Sequence, residues 1–273
     1  MFTGLIQAIG KIQTLKTLRS PLRSPSSSIP SGTSSGTSSG ISAPFLNYEV
    51  IVFEEGPFSE DLPIMLGESI SLMGVCQSVT SVKKIHGSKN SGGRTQLLLS
   101  FEAGEQTLKK TTLANWKVGQ EVHIERALRA GDRVGGHFVS GHIALVGEVI
   151  KVQKLSLDWA ISFQIPVSYK EKVISEGSIA IDGVSYTISE VQYIGRKCLF
   201  SINVLPLTYE KTLIKLYRRG TKVNIEFDFL NTLNTLNTMT KMQEEKGHSF
   251  QNLKDKIQDW TEISQQISYI RRE

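Results

Sequence analysis

The chain contains a repeated segment in which one copy has a histidine and the other copy has a different residue. His142 follows a Ser-Gly pair, and an earlier, similar segment has Leu5 after Thr-Gly. An imidazole titrates near neutral pH and can take or give a proton at a reacting centre, which leucine cannot. A lone histidine in a strand is otherwise more often a polar residue with satisfied hydrogen bonds. His137 nearby is either a second site residue or a cap of the turn.

Two side chains of nucleophilic type also fall at equivalent positions. Cys76 and Ser185 each follow a Gly-Val pair. A thiol or a hydroxyl there can add to an electrophile or hold the water that does so. Neither has an evident base beside it, so a role in hydrogen bonding or packing stays open. Asp228, after the last β-prone run, either orients a proton acceptor or is a charge at a strand end.

These positions are equivalent because the chain contains one small domain twice. Residues 2–6 return as 139–143, residues 67–82 as 177–191, and residues 107–125 as 208–226. Repeats of solenoids and propellers are roughly 20–50 residues long, and this period is about twice the upper end of that range. We therefore expect two consecutive copies of a domain, followed by a third piece from about residue 230.

Each copy has the pattern of short strands. Residues 179–181, 186–188, 198–202 and 222–227 are β-prone runs, several with alternating apolar and polar residues. Asp182-Gly183 lies between two of them and predicts a type I′ hairpin turn, which needs positive φ at both central residues. Five or six such strands per copy favour a small closed barrel, which leaves no exposed sheet edge. The Lys/Thr-rich runs after Thr107 and Thr208 predict a short helix in each copy.

The domain boundaries follow from the repeat. We expect a first barrel over 1–136, a second over 137–233 and a helix over 234–273, with a Ser/Gly/Pro-rich insert at about 19–46 that forms a flexible loop. The helix has one apolar stripe, which either docks on the barrels or makes a subunit contact. The stripe consists of Leu253, Ile257, Trp260, Ile263, Ile267 and Ile270.

Composition narrows the class of protein. The net charge of +5 is modest and dispersed, which favours a solvated basic surface over a nucleic-acid-binding stripe. No segment is typical of a membrane span or a secretory signal. Cys76 and Cys198 lie in unlike contexts and predict neither a disulfide framework nor a metal site. We expect a soluble cytoplasmic protein.

Three motifs together resemble riboflavin synthase of the α-chain type. They are Met-Phe-Thr-Gly at residues 1–4, Gly-Gly-His-Phe-Val-Ser-Gly-His-Ile at 135–143 and Ile-Asp-Gly-Val-Ser-Tyr-Thr at 181–187. The resemblance covers residues 1–230 apart from the insert. It implies two six-stranded antiparallel Greek-key barrels that bind lumazine, a C-terminal helix that helps to form a homotrimer, and active sites between subunits. It leaves open an association with lumazine synthase.

The resemblance also implies a reaction. Two molecules of 6,7-dimethyl-8-(D-ribityl)lumazine dismutate by transfer of a four-carbon unit, without a metal or an organic cofactor. The products are riboflavin and 5-amino-6-(D-ribitylamino)uracil, in the last step of riboflavin biosynthesis. The alternative is a non-catalytic lumazine- or flavin-binding protein with the same two repeats.

The site residues implied by the resemblance fall into two pockets, one per copy. The catalytic candidates are His142, Ser185, Cys76 and Asp228. The first pocket is expected to use Gly4, Leu5, Ile6, Cys76, Gln77, Ser78, Gly104, Glu105, Gln106, Thr107 and Leu108. The second is expected to use Gly141, His142, Ile143, Glu176, Ser185, Tyr186, Thr187, Val204, Leu205, Pro206, Leu207, Thr208 and Tyr209. Thr107, Thr111, Thr208 and Thr212 either bind ribityl hydroxyls or cap helices.

The chain departs from the family pattern at three places. Met73 stands before Gly74 where a polar residue is usual, and Gln77 stands where leucine is usual. Glu176 replaces a common lysine. The two changes in the first copy bear on the geometry of its pocket and are the strongest argument for the binding protein.

Overall fold

The β-prone runs form twelve antiparallel strands that close two six-stranded barrels. This holds for residues 1–19, 44–59, 61–86 and 94–230, which are the residues that the computed structural model describes. The prediction of two antiparallel barrels is confirmed. The predicted insert lies mostly outside these residues, and the predicted C-terminal helix lies wholly outside them. None of the described helices combines the length and the apolar character that a membrane crossing requires.

The first barrel pairs its strands in the order β1-β2-β5-β4-β3-β6, with β6 returning to β1. Its helix α1 (Glu105–Lys110) and a 3₁₀ turn (Thr112–Asn115) connect β5 to β6, and a further 3₁₀ turn (Gly56–Phe58) follows β2. The strands are β1 (Ala8–Arg19), β2 (Pro44–Phe53), β3 (Ser69–Leu72), β4 (Val75–Ile85), β5 (Gln96–Ala103) and β6 (Glu121–Arg126).

The second barrel repeats this order as β7-β8-β11-β10-β9-β12. A 3₁₀ helix (Val167–Lys172) follows β8, and α2 (Pro206–Lys211) with a 3₁₀ turn (Leu213–Leu216) connects β11 to β12. The predicted boundary between residues 136 and 137 falls in the connection between the barrels. The strands are β7 (Leu145–Lys154), β8 (Trp159–Pro166), β9 (Ser178–Ile181), β10 (Val184–Ile194), β11 (Lys197–Val204) and β12 (Lys222–Phe227).

Each barrel encloses its own apolar core. In β11, Cys198, Phe200 and Ile202 are buried and alternate with more exposed residues, as the pleat of a strand requires. Phe200 stacks on Phe163 with ring centroids 5.3 Å apart. The first barrel also has a stacked pair, Tyr48 and Phe101 at 5.4 Å, but it lies two residues along the strands from the position equivalent to Phe163 and Phe200. Such pairs contribute about 0.5–1.5 kcal/mol beyond the burial of their area.

Two equivalent hairpin turns meet where the barrels touch. Asp182 and Gly183 have φ of 47° and 82°, which confirms the predicted turn, and Met73 and Gly74 have φ of 50° and 81°. A Cβ on Gly74 would lie 2.7 Å from the amide nitrogen of Gly183, so the turns approach each other as backbone on backbone. Met73 therefore preserves the turn despite its departure from the family pattern.

A histidine and an asparagine at equivalent positions hold the barrels together. His123 Nε2 accepts a hydrogen bond from the amide of Leu213 at 2.7 Å, and its Nδ1 lies 2.9 Å from the carbonyl oxygen of Asp182. Asn224 makes the reciprocal contacts, accepting from the amide of Thr112 at 2.8 Å and donating to the carbonyl of Met73 at 2.9 Å. Because Nε2 of His123 must accept, the ring is neutral and its hydrogen lies on Nδ1.

Burial moves two pKa values at this contact in opposite directions. It lowers the pKa of His123 from 6.5 to about 4, with the bond to the carbonyl of Asp182 opposing the change. It raises the pKa of the Asp182 carboxyl from 3.8 to about 7, while hydrogen bonds from the Tyr217 hydroxyl and the Asn224 amide oppose it. The folded state therefore favours the uncharged form of both groups.

These pKa shifts predict opposing effects of pH on stability. Below pH 6.5 the unfolded chain protonates His123 before the folded one, so stability falls as the pH drops towards about 4. Above pH 3.8 the unfolded chain ionises Asp182 first, so stability falls as the pH rises towards about 7. Asp182→Asn, which mimics the neutral acid, removes only the second effect.

We expect the free energy of unfolding of the Asp182→Asn variant to rise between pH 4.5 and 6.5 more steeply than that of the unchanged protein. The difference in slope is about 1.4 kcal/mol per pH unit for one proton. Urea unfolding at several pH values measures both slopes. All other titrating groups are common to the two proteins, so equal slopes contradict an uncharged Asp182.

Candidate functional site

The outer faces of β4 and β10 present the predicted nucleophiles. Cys76 and Ser185 are half-buried, and two residues further Ser78 and Thr187 are exposed on the same faces. Residues one apart in a strand point to opposite faces, and those two apart share one. Each barrel therefore has a short row of small polar side chains on its outside.

The residues between them point the other way. Gln77 is buried in the first barrel, where its side chain accepts a hydrogen bond from Tyr48 at 3.1 Å and donates to the carbonyl of Cys76 at 2.7 Å. Tyr186 is likewise buried in the core of the second barrel. A ligand on the outer face therefore meets only the backbone of these two residues. Gln77 and Tyr186 stay predicted binding residues through their backbone groups, because the pleat turns their side chains away from the outer face.

The starts of the two copies cross over to the opposite barrels. The carbonyl of Gly4 accepts a hydrogen bond from the amide of Ser185 at 2.9 Å, and the carbonyl of Gly141 accepts from the amide of Cys76 at 2.9 Å. Ile6 packs against the core of the second barrel. The predicted grouping of the pockets is therefore wrong. Gly4, at the start of the first copy, lies against β10, and Gly141, at the start of the second, lies against β4.

Glycine is required at both crossing points. Gly4 and Gly141 have φ of 77° and 82°, a region that other residues enter at a cost. A Cβ on Gly4 would lie 2.6 Å from the Cβ of Ser185, and one on Gly141 would lie 2.5 Å from the Cβ of Cys76. Each segment thus lies directly on the strand that carries a predicted nucleophile.

Ser185 has His137 as its partner, a pairing that the sequence did not predict although it named His137 as a possible site residue. His137 Nδ1 lies 2.7 Å from Ser185 Oγ, and His137 Nε2 is buried without a hydrogen-bond partner among the described residues. Burial lowers the pKa of His137, and the nearby charge of Asp228 opposes this. The structure therefore brings together Ser185, His137 and Asp228. Gly136 makes the approach possible, since a Cβ there would lie 2.9 Å from Ser185 Oγ.

His142 lies in the segment that contacts the first barrel. It directly follows Gly141, which pairs with Cys76, and its Nδ1 lies 3.1 Å from Ser140 Oγ. The segment that contains His142 thus lies beside Cys76, while His137 contacts Ser185. His142 and Ser185 were candidates for one pocket from sequence, and the crossing assigns them to different ones.

The two threonines that directly precede the 3₁₀ turns are N-caps. Thr111 Oγ1 donates to the carbonyl of Thr107 at 2.7 Å and accepts from the amide of Leu113 at 3.2 Å. Thr212 makes the same bonds to Thr208 and Ile214 at 2.8 and 3.4 Å. Their hydroxyls are engaged and buried, which leaves only Thr107 and Thr208 of the four as ligand candidates.

The remaining predicted binding segments lie at the ends of β5 and β11. The helices there begin at Glu105 and Pro206, earlier than predicted. In the second copy, the ring of Tyr209 stacks on Trp159 with centroids 3.7 Å apart and planes 3° from parallel. Leu205 is largely exposed. Gly104 to Leu108 in the first copy and Val204 to Tyr209 in the second remain predicted binding segments.

Glu176 lies in the turn before β9. It has a φ of 65° where the first copy has Gly67 at 82°. Its amide donates to the carbonyl of Ile188 at 2.8 Å, next to Thr187 in the strand, and its side chain is exposed. Glu176 in place of the family's lysine therefore changes the charge at this turn but keeps the backbone conformation of the turn.

A cavity of about 720 Å³ beside β6 was not predicted from sequence. Leu5 and Ile6 line it, together with Glu125 and Arg126. The guanidinium of Arg126 donates to both carboxylate oxygens of Glu68 at 2.6 and 2.8 Å and to nearby carbonyls, so it braces the wall of the cavity. The second barrel has Phe227 at the position equivalent to Arg126, so this wall is specific to the first barrel.

Comparisons with known proteins agree with this architecture. The lumazine binding domain family matches residues 3–127 and 140–228. A riboflavin synthase from Chlamydia muridarum is 38% identical over 61% of this chain and 74% of its own length. One from Chlamydia trachomatis is 29% identical over 85% and 92%, and one from Escherichia coli is 34% identical over 59% and 69%.

Solved structures share the fold. The crystal structures of LumP complexed with 6,7-dimethyl-8-(1'-D-ribityl) lumazine and with riboflavin align with TM-scores of 0.57 and 0.58. Each alignment covers 83% of this chain and 99% of the LumP chain, at 19% and 20% identity. At this identity the similarity concerns the fold.

The close contact between Gly4 and Ser185 predicts that the Gly4→Ala substitution destabilises the protein. The backbone conformation alone costs about 1–2 kcal/mol, and the overlap with Ser185 adds to it. Gly104→Ala is the control, because its φ is −78° and a Cβ there meets nothing within 4 Å. We expect the control to change the free energy of unfolding by less than about 0.5 kcal/mol. Equal effects in urea unfolding would rule out a tight contact at Gly4.

Proposed function

The chain belongs to the riboflavin synthase family, whose two lumazine binding domains it contains, and from this premise we propose that it is a riboflavin synthase. It dismutates two molecules of 6,7-dimethyl-8-(D-ribityl)lumazine to riboflavin and 5-amino-6-(D-ribitylamino)uracil. A four-carbon unit moves from one molecule to the other. The two substrates together contain all atoms of the two products, so the balance requires no external oxidant, reductant or group donor.

The observation that carries this proposal is a pair of similar but unequal sites. Both β4 and β10 present a nucleophilic residue on the outer face, and both have a glycine carbonyl from the crossing segment hydrogen-bonded to that residue. A reaction between two copies of one molecule needs two similar sites that hold the reactants in defined orientations. Positioning of this kind can supply roughly 7–11 kcal/mol of a barrier in well-oriented systems.

The differences between the sites support different tasks. The reaction needs a base that takes a proton from the C7 methyl group of one lumazine and a nucleophile that adds at C7 of the other. At β10, burial lowers the pKa of His137 and so favours its neutral ring, and His137 Nδ1 lies 2.7 Å from Ser185 Oγ. At β4, Cys76 lies beside the segment that carries His142. We assign proton transfer to the histidines, and addition or water positioning to Cys76 and Ser185.

Asp228 supports the group at β10. It is largely buried after β12, and its negative charge favours the protonated form of His137. A histidine that receives a proton during the reaction would be stabilised there by the carboxylate. Asp228 is thus proposed as the residue that balances the charge of His137.

Several parts of the proposal come from the family resemblance. They are a homotrimer in which the first barrel of one subunit faces the second barrel of its neighbour, an association with lumazine synthase, and a cytoplasmic location. The trimer matters most, because it would bring two substrates face to face.

Incubation of the purified protein with 6,7-dimethyl-8-(D-ribityl)lumazine alone tests the reaction. We expect one riboflavin and one 5-amino-6-(D-ribitylamino)uracil for every two lumazine molecules consumed, followed by absorbance and by quantification of both products. Tight binding of lumazine without turnover would contradict the proposed synthase activity and indicate a lumazine-binding protein.

We further expect His142→Ala to lower kcat about 10²–10⁴-fold, the usual contribution of a positioned acid or base, with lumazine binding largely retained. His86→Ala is the matched control. His86 is exposed beyond the far end of β4, ten residues or roughly 30 Å of strand from Cys76. Unchanged turnover in the His142 variant would remove this residue from the mechanism.

A further inference from the structure

Two buried glutamates hold the crossing segments. Glu125 in β6 accepts hydrogen bonds from the amide and the hydroxyl of Thr3, both at 2.7 Å, and from the amide of Gly4 at 3.1 Å. Glu226 in β12 accepts from the amides of Ser140 and Gly141 at 2.6 and 2.9 Å. Both glutamates use their two oxygens on two successive amides.

Each glutamate acts on the barrel to which it does not belong. Glu125 is in the first barrel, but the Gly4 that it holds pairs through its carbonyl with Ser185 in the second. Glu226 is in the second barrel, but the Gly141 that it holds pairs with Cys76 in the first. One glycine therefore separates each carboxylate from the amide of a nucleophilic residue.

A carboxylate is the group that fits these contacts. Two neighbouring amides present only donors, and an ionised carboxylate presents only acceptors. Glutamine in the same place would direct its own N–H at one of the amides and leave a buried donor unpaired. Glu125 and Glu226 are 2% and 7% exposed, so water cannot easily replace the lost bond.

Burying a carboxylate is costly, which argues that the contact has a purpose beyond general stability. Burial raises the pKa of both glutamates, and the hydrogen bonds from the segments oppose that rise. Well-packed apolar residues would stabilise a barrel rim at lower cost. What they would not provide is a fixed position for two consecutive amides.

We propose that Glu125 and Glu226 are positioning residues that set the two sites separately, Glu226 the one at Cys76 and Glu125 the one at Ser185. This rests on the proposed function only in that both sites serve the reaction. The geometric claim itself is independent of turnover. Removing one carboxylate disturbs the site on the opposite barrel and leaves the site on its own barrel unchanged.

Cysteine alkylation tests this at each site without a need for turnover. Cys76 reports on the first site in the otherwise unchanged protein, and Ser185→Cys in a Cys76→Ser background reports on the second. Cys198 is buried in the barrel core, and the Cys76→Ser protein alone gives its background rate. The rate of reaction with iodoacetamide is followed by mass spectrometry of the intact protein.

We expect Glu226→Gln to change the alkylation rate at position 76 several-fold and to leave position 185 within about twofold, the ordinary scatter of unrelated substitutions. Glu125→Gln should do the reverse. Equal changes at both positions would show general loosening and overturn the proposal, as would no change at either. Because lumazine is absent, a protein without synthase activity can still give the expected pattern.

A milder variant covers the case in which a glutamine variant does not fold. Thr3→Val removes only the hydroxyl bond to Glu125 and keeps both amide bonds. We expect a smaller change in rate at position 185 and none at position 76. If Thr3→Val changes position 76 as much as position 185, Glu125 does not act on one site alone.

Discussion

The sites depend on one short piece of backbone pairing. Phe2 and Val139, at the starts of the two copies, exchange both of their amide hydrogen bonds at 2.7 and 3.0 Å, and both side chains are fully buried. Because the two segments run antiparallel at this point, each proceeds to the barrel opposite its own. The pairing thereby fixes Gly4 and Gly141 at the same time. The two sites share a common support even though they lie on different barrels.

At the contact between the barrels, equivalent residues of the two copies differ in type but make the same hydrogen bonds. Every buried amide and carbonyl there requires a partner, and both copies satisfy that requirement with different chemistry. His123 and Asn224 each join one amide and one carbonyl of the other barrel. The thioether of Met73 and the carboxyl group of Asp182 each accept from a strand amide. The hydrogen-bonding pattern is retained while the ionisable groups are not.

Much of the fold could be predicted because it depends on local chemistry. The Asp182-Gly183 turn needs positive φ at two residues, and β9 to β12 follow from alternation and β propensity. The crossing could not be predicted. A repeat shows that Gly4 and Gly141 are equivalent, but not which barrel either one contacts. The pairing of His137 with Ser185 also depends on that crossing, since no spacing in the sequence relates them. The inward direction of Gln77 and Tyr186 follows from the pleat, which turns every second side chain towards the core.

The crossing also bears on how such a chain came to exist. A protein with a single copy would place its first residues on the outside of a barrel that is not its own, and the only source of that barrel is a second molecule. Its folded form would be a symmetric pair of chains with exchanged N-termini. Joining the two genes end to end turns this exchange into an intramolecular one and frees the halves to become unequal. A histidine can then appear opposite a leucine, which no symmetric pair allows.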